Sequence, residues 1–168
     1  MLKKILPILV LFSFATVAQA DTATKDSKAA WTNYDAPKFG FKMSVPAKTK
    51  MKAKAIGKWG GFHARIWPAQ LWGLAKLDKK HTPGEIAAFG LIVTKTKAKH
   101  WKEIAEGKDK QGFEWFKIYK AEAGNHVAIA VTGVGPKGSY ILVLKTLKTN
   151  YLRFQAAYDR WAASVTVY

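Results

Sequence analysis

Two apolar runs in the last third of the chain dominate its hydrophobic pattern. Val127 to Thr132 and Tyr140 to Thr146 carry apolar side chains at both even and odd positions, with Gly135-Pro136-Lys137-Gly138 as a turn between them. Successive strand side chains point to opposite faces, so both strands must be covered on both sides. The period then changes: Tyr151, Phe154, Tyr158 and Trp161 recur at steps of three, four and three, on one side of a helix, before a short β-branched tail. This helix supplies one of the two covering layers.

Upstream, Phe39, Phe41, Met43 and Val45 alternate with Gly40, Lys42 and Ser44 as a half-buried strand that Pro46 ends; Ala29 to Tyr34 opens a strand before it. Lys48, Lys50, Lys52 and Lys54 follow at alternate positions, so an extended segment points four lysines to one side. That ladder has two readings, a stripe for phosphates or carboxylates and an edge strand guarded against aggregation. Gly60-Gly61 introduces Phe62 to Trp67, and Leu71 to Leu77 pairs back as a hairpin. Its tryptophans Trp59, Trp67 and Trp72 either gather near one end, where with Lys58 and Arg65 they can stack on a ligand, or pack into the core.

Thr82-Pro83-Gly84-Glu85 is a helix start, with a capping Thr, Pro at the first position and Glu at the third. Ile86, Phe89, Gly90 and Val93 continue it, and Leu91 to Thr94 leaves its far end open between helix and strand. Lys95, Lys97 and Lys99 form either a second ladder or a basic helix end. Trp101 to Glu106 and Phe113 to Glu122 read as a hairpin across a loop of turn formers, Gly107 to Gly112. On its second strand Phe113, Trp115 and Tyr119 are expected on one face, with Phe116 and Ile118 on the other.

The N-terminus stands apart. Lys3 and Lys4, the apolar run Ile5 to Val17 and Ala18-Gln19-Ala20 have the order of a signal peptide, so residues 1–20 are read as an export signal and 21–29 as a flexible lead-in. A single domain is expected over residues 30–168, with no membrane span in the mature chain. The sequence contains no cysteine, so disulfides and a lipidated N-terminal cysteine are excluded, and an exported product must rely on its core. All seven tryptophans lie beyond the signal and contribute much of that core. The formal charge is +17; without Lys3 and Lys4, 26 basic residues remain against 11 acidic ones, a net +15. Such a surplus attracts polyanions or, read plainly, keeps the protein dispersed. Outside the cytoplasm the expected partners are an anionic envelope component or an acidic protein, and nucleic acid is not expected.

Motifs for chemistry are sparse. Gly133 to Gly138 has the spacing of a dinucleotide fingerprint, but a strand follows its glycines and Pro136 removes an amide donor, so a hairpin turn is expected. The four histidines, His63, His81, His100 and His126, stand singly without metal-site spacing, and no serine sits in a nucleophile turn. No catalytic residue, metal ligand or cofactor site is assigned. Glu103, Glu106, Glu114 and Glu122 can pair for acid-base work only if the hairpin register brings two together.

The segments FGFKMSVP, TPGEIAAFG, WKEIAEGKDKQGFEWFKIYKAE and GSYILVLKT…YLRFQAAYDRWAASVTVY, in this order, resemble the PsbP-like group over most of residues 34–168. That group includes the extrinsic PsbP subunit of photosystem II, a small Ran-binding nuclear import factor and exported bacterial proteins. The resemblance implies an α+β fold, a central antiparallel sheet of about six to eight strands with helices on both faces, as the two-sided strands require. It implies an accessory, docking or assembly role and carries over no site residue. The leading expectation is a non-enzymatic exported protein docking on an anionic component through Lys48, Lys50, Lys52, Lys54, Lys58, Arg65, Lys95, Lys97 and Lys99. The alternatives are a small-ligand or glycan binder using Trp59, Trp67 and Trp72, and a hydrolase built on the carboxylates of the 101–122 hairpin.

Overall fold

A computed structural model describes residues 31–66 and 68–168. The export signal, the lead-in and Trp67 lie outside the described residues.

Among the described residues ten strands and two α-helices follow in the order β1 (Trp31–Ala36), β2 (Phe41–Pro46), β3 (Met51–Ile56), β4 (Trp59–Ile66), β5 (Ala69–Lys76), α1 (Pro83–Thr94), β6 (Trp101–Lys110), β7 (Phe113–Ala123), β8 (His126–Gly135), β9 (Gly138–Leu147), α2 (Lys148–Ser164) and β10 (Thr166–Val167). The strands make two antiparallel sheets where one was expected. Seven strands in the order β3-β4-β5-β9-β8-β7-β6 form the larger, and β1-β2-β10 form the smaller. The tail after α2 pairs with β2, through Thr166 opposite Lys42 and Val167 opposite Phe41, and so closes a separate small sheet.

The doubly apolar runs are central strands, with β9 between β5 and β8. Ile141 and Val143 share one hydrophobic cluster with Ile86 and Val93 of α1. Leu142 and Leu144 share the other with Tyr151, Tyr158 and Trp161 of α2 and with Phe41, Met43 and Val45 of the small sheet. The aromatic stripe of α2 is therefore core, although Phe154 departs from helical geometry at φ −118 and ψ 21 and is only half-buried.

Thr82 and Glu85 form the capping box that starts α1: the Thr82 hydroxyl accepts from the Glu85 amide at 3.3 Å and the Glu85 carboxylate from the Thr82 amide at 2.7 Å. The helix runs through Thr94, so helix prevails over strand at Leu91 to Thr94, and Lys95 ends it in the left-handed region at φ 55. Gly90 lets α1 approach the sheet closely. A Cβ there would lie 2.3 Å from the Trp101 ring and 3.0 Å from Ile141. Gly90→Ala is expected to cost about 1–3 kcal/mol by overpacking, whatever alanine gains in helix propensity. Urea unfolding of the variant measures it.

Three local expectations change. Gly60 and Gly61 belong to β4 itself, and Gly107 to Lys110 continue β6, which turns only at Gln111-Gly112. Pairing with β7 outweighs the turn preference of Gly107, opposite Phe116, while Asp109 keeps a left-handed conformation at φ 49 within the strand. Phe113 joins Phe116 and Ile118 and leaves Trp115 and Tyr119 on the other side. Phe113 lies beyond the pairing of β7 with β8, which starts at Trp115, and fills the space beside Gly133, where a Cβ would lie 2.7 Å from its ring.

Candidate functional site

The register of the large sheet sets basic side chains in rows. Arg65 on β4 lies opposite Gln70 on β5, which lies opposite Lys145 on β9. One step along, Lys52 on β3, His63, Trp72 and Val143 form the next row. Alternation puts both rows on the face of Val143, the face that meets α1. The helix rests on β8 and β9, and toward β3, β4 and β5 the side chains of Lys52, Lys54, Arg65 and Gln70 stay exposed.

Where this open area meets the end of α1 there is a cleft of about 530 Å³, lined by Arg65, Trp72, Val93, Lys95, His126 and Lys145 among others. Each wall has a distinct origin. Lys145 is anchored on a central strand, and its ammonium donates to the carbonyl of Thr94, in the last turn of α1, at 2.8 Å. Lys95 is the residue that ends α1. Trp72 is half-buried, its indole 4.8 Å from the His63 ring between centroids. Leu147 and Asn150 bring the start of α2 to the same cleft.

The electrostatics are one-sided. Burial lowers the pKa of Lys145, and the neighbouring charge of Lys95 lowers it further. Burial also lowers that of His63, with Lys54, Arg65 and Lys52 pushing the same way and the Gln70 side chain opposing them. Nε2 of His63 is buried without a hydrogen-bond partner. Among the described residues Lys52, Lys54, Arg65, Lys95 and Lys145 form no ion pair with a carboxylate. The site is arranged to gain from an anion.

A pH dependence follows. The folded pKa of His63 lies below its ordinary value of 6.5, so the unfolded chain binds more protons between the two values. The contribution of His63 to stability is complete above 6.5 and is lost as pH falls through the folded value. An anion held beside Arg65, close enough to His63 to affect its charge, lets His63 protonate at less cost, so sulfate, whose charge is constant here, should bind more tightly as pH falls below 6.5. Calorimetric titration checks this, with His63→Gln expected to reduce the difference.

The expected site residues divide. Arg65, Lys95 and Trp72 line the cleft, and Lys52 and Lys54 stand on the same sheet face, near His63. Lys48 and Lys50 precede β3, with Lys48 in a left-handed turn at φ 68, so only part of the ladder is extended. Lys58 sits in the turn between β3 and β4, close enough to Asp78 to lower its pKa, behind the larger effect of the Lys76 side chain. Lys97 and Lys99 lie in the irregular segment and 3-10 turn between α1 and β6, neither a ladder nor a helix end. Trp59 is 7% exposed and stacks on Phe89 at 4.3 Å, at the opposite end of the β4-β5 hairpin from the cleft. Lys145 and His126 entered the site without being anticipated. A lone lysine within the apolar run of β9 was the available signal for the first.

The carboxylates of the second hairpin are engaged elsewhere. Glu103 and Glu106 both reach Lys117, at 2.8 and 3.3 Å, and Glu122 reaches Lys120 at 2.7 Å and Lys148 at 3.6 Å. A second cleft of about 570 Å³ beside this hairpin mixes Glu106 with Lys108 and Lys117 around Trp115, so its lining includes a carboxylate where the first cleft's does not. Among the described residues no cluster of His, Asp or Glu has metal-site geometry, and no helix is long and apolar enough to cross a membrane.

No protein-family model matches the chain, and no curated protein matches it. Among solved structures it is similar to the solution structure of cyanobacterial PsbP (CyanoP) from Synechocystis sp. PCC 6803. The TM-score is 0.58 and the identity 14%, over 89% of this chain and 99% of that one. The chain thus has a PsbP-like fold, as the order of its segments implied. At this identity the similarity defines the architecture, and the function must be argued from the residues of this chain.

Proposed function

We propose that this is an exported, non-enzymatic accessory protein that docks on an anionic, phosphate-bearing component of the cell envelope through the face formed by Lys52, Lys54, Arg65, Lys95 and Lys145. The observation that carries the reading is that Arg65, Lys95 and Lys145 line one cleft with Trp72 while Lys52 and Lys54 stand on the same sheet face, with no carboxylate paired to any of the five among the described residues. Part of the proposal is architectural. In a layered arrangement with the helices on opposite faces of the large sheet, α1 lies over β8 and β9, touches β4 at Trp59 through Phe89, and leaves the basic rows toward β3 open; packing of α1 with Ile141 and Val143, and of α2 with Leu142 and Leu144, supports it. Export to the periplasm or medium rests on the signal-like order of residues 1–20.

A concave cleft admits projecting head groups better than the flat surface of a folded acidic protein, which favours the envelope component over the protein partner. The hydrolase reading has less support, because Glu103 and Glu106 share Lys117. Co-sedimentation with phosphatidylglycerol vesicles at about 50 mM salt tests the proposal, with phosphatidylcholine vesicles as reference. Binding to the anionic vesicles that weakens steeply by about 300 mM salt is the expected result. Equal retention on both lipids, or on neither, refutes it.

A further inference from the structure

The cleft combines two features that a purely electrostatic docking surface does not need: a cation anchored in its wall, Lys145, and part of an indole ring, Trp72, in the same lining. Lys145 is held by its bond to the Thr94 carbonyl, and the backbone amide of Lys95 is bonded back into the last turn of α1, so both start from defined positions. Trp72 reaches the cleft while His63 supports its ring. A volume near 530 Å³ falls within the range of small-molecule sites. A bare phosphate would leave the indole and the apolar Val93 without a partner, and a neutral sugar would leave three cations without one. A ring that bears a phosphate uses all of them.

We propose that the cleft binds a phosphorylated sugar unit, with its phosphate on Arg65, Lys95 and Lys145 and its ring against Trp72. This rests on the anionic docking reading and specifies its ligand. The same unit occurs free and as the exposed end of an envelope glycolipid, and the two sources present identical chemistry to the cleft.

Calorimetry with glucose 6-phosphate, glucose and inorganic phosphate tests the inference on the purified protein. Glucose 6-phosphate should bind about tenfold tighter than inorganic phosphate, with glucose undetectable. Trp72→Ala should reduce glucose 6-phosphate to the affinity of inorganic phosphate, while Lys95→Gln should weaken both. Lys95 is exposed, so its variant separates charge from folding better than Lys145→Met, which also removes a bond to α1. Vesicles carrying a phosphorylated glycolipid complete the set. If glucose 6-phosphate displaces the protein from them and they bind more tightly, the membrane-borne source is indicated; if affinities match, the free one. Equal affinity for glucose 6-phosphate and inorganic phosphate, or an unchanged difference in Trp72→Ala, overturns the inference. Retention on phosphatidylglycerol vesicles without saturable binding of any small probe overturns it too and leaves the docking reading standing. Failure of vesicles and probes alike removes both.

Discussion

Replacing Lys52, Arg65 and Lys95 together by glutamine is expected to weaken binding to phosphatidylglycerol vesicles roughly 100-fold at low salt. Each Lys or Arg near an anionic surface contributes about 1 kcal/mol, so three removed charges amount to about two decades in affinity. None of the three has a carboxylate partner to leave unpaired among the described residues, and Lys52, Arg65 and Lys95 are all exposed. Unfolding by urea should therefore be nearly unchanged. The matching control is Lys42, Lys102 and Lys110 to glutamine, an equal loss of charge at exposed positions elsewhere. If binding depends on where the charge lies, this control loses much less affinity. If only net charge matters, the two triple variants fall together, and the surplus serves dispersion rather than a partner.

Trp161→Ala should produce the largest loss of stability, about 3–5 kcal/mol. Trp161 is 0% exposed, and its indole N–H points at the Met43 sulfur, 3.2 Å away. It lies where α2, the small sheet and the large sheet share one cluster with Phe41, Met43 and Val165. Removing it leaves a cavity bounded by three elements that cannot all close on it, since α2 is also held by Tyr151 and Tyr158 and the small sheet by the pairing of β10 with β2. A urea midpoint shifted by less than the equivalent of about 1 kcal/mol would mean that this layer contributes little to the fold.

Much of the fold was legible because strong local signals agreed with their surroundings. The two-sided runs of β8 and β9, the capping box at Thr82 and the aromatic stripe of α2 each have one economical solution. The second sheet was not legible, because the assignment of β1, β2 and β10 depends on which strands pair, and sequence periodicity is silent about partners. Gly107 to Lys110 misled for a related reason: β7 draws the segment into its ladder at Gly107, Lys108 and Lys110, although Asp109 keeps a left-handed backbone. Of the candidate site, Lys52, Lys54, Arg65, Lys95 and Trp72 were recognised as basic or stacking residues, but only the register brought them to one face. Lys48, Lys50, Lys58, Lys97, Lys99 and Trp59 looked equivalent and were separated by backbone geometry or burial. Lys145 was overlooked because an apolar strand suggests core, although a lysine in such a strand needs an acceptor and finds it at the end of α1.

Amide hydrogen exchange of the protein with and without phosphatidylglycerol vesicles tests the docking face most directly, since it reports where the partner lies without altering a residue. The account predicts slowed exchange in β3, in the second half of β4, at the start of β5 and around Lys95, with little change at the Gln111-Gly112 turn. Protection centred on the β6-β7 hairpin, or none at all under conditions where the protein is bound, would contradict it.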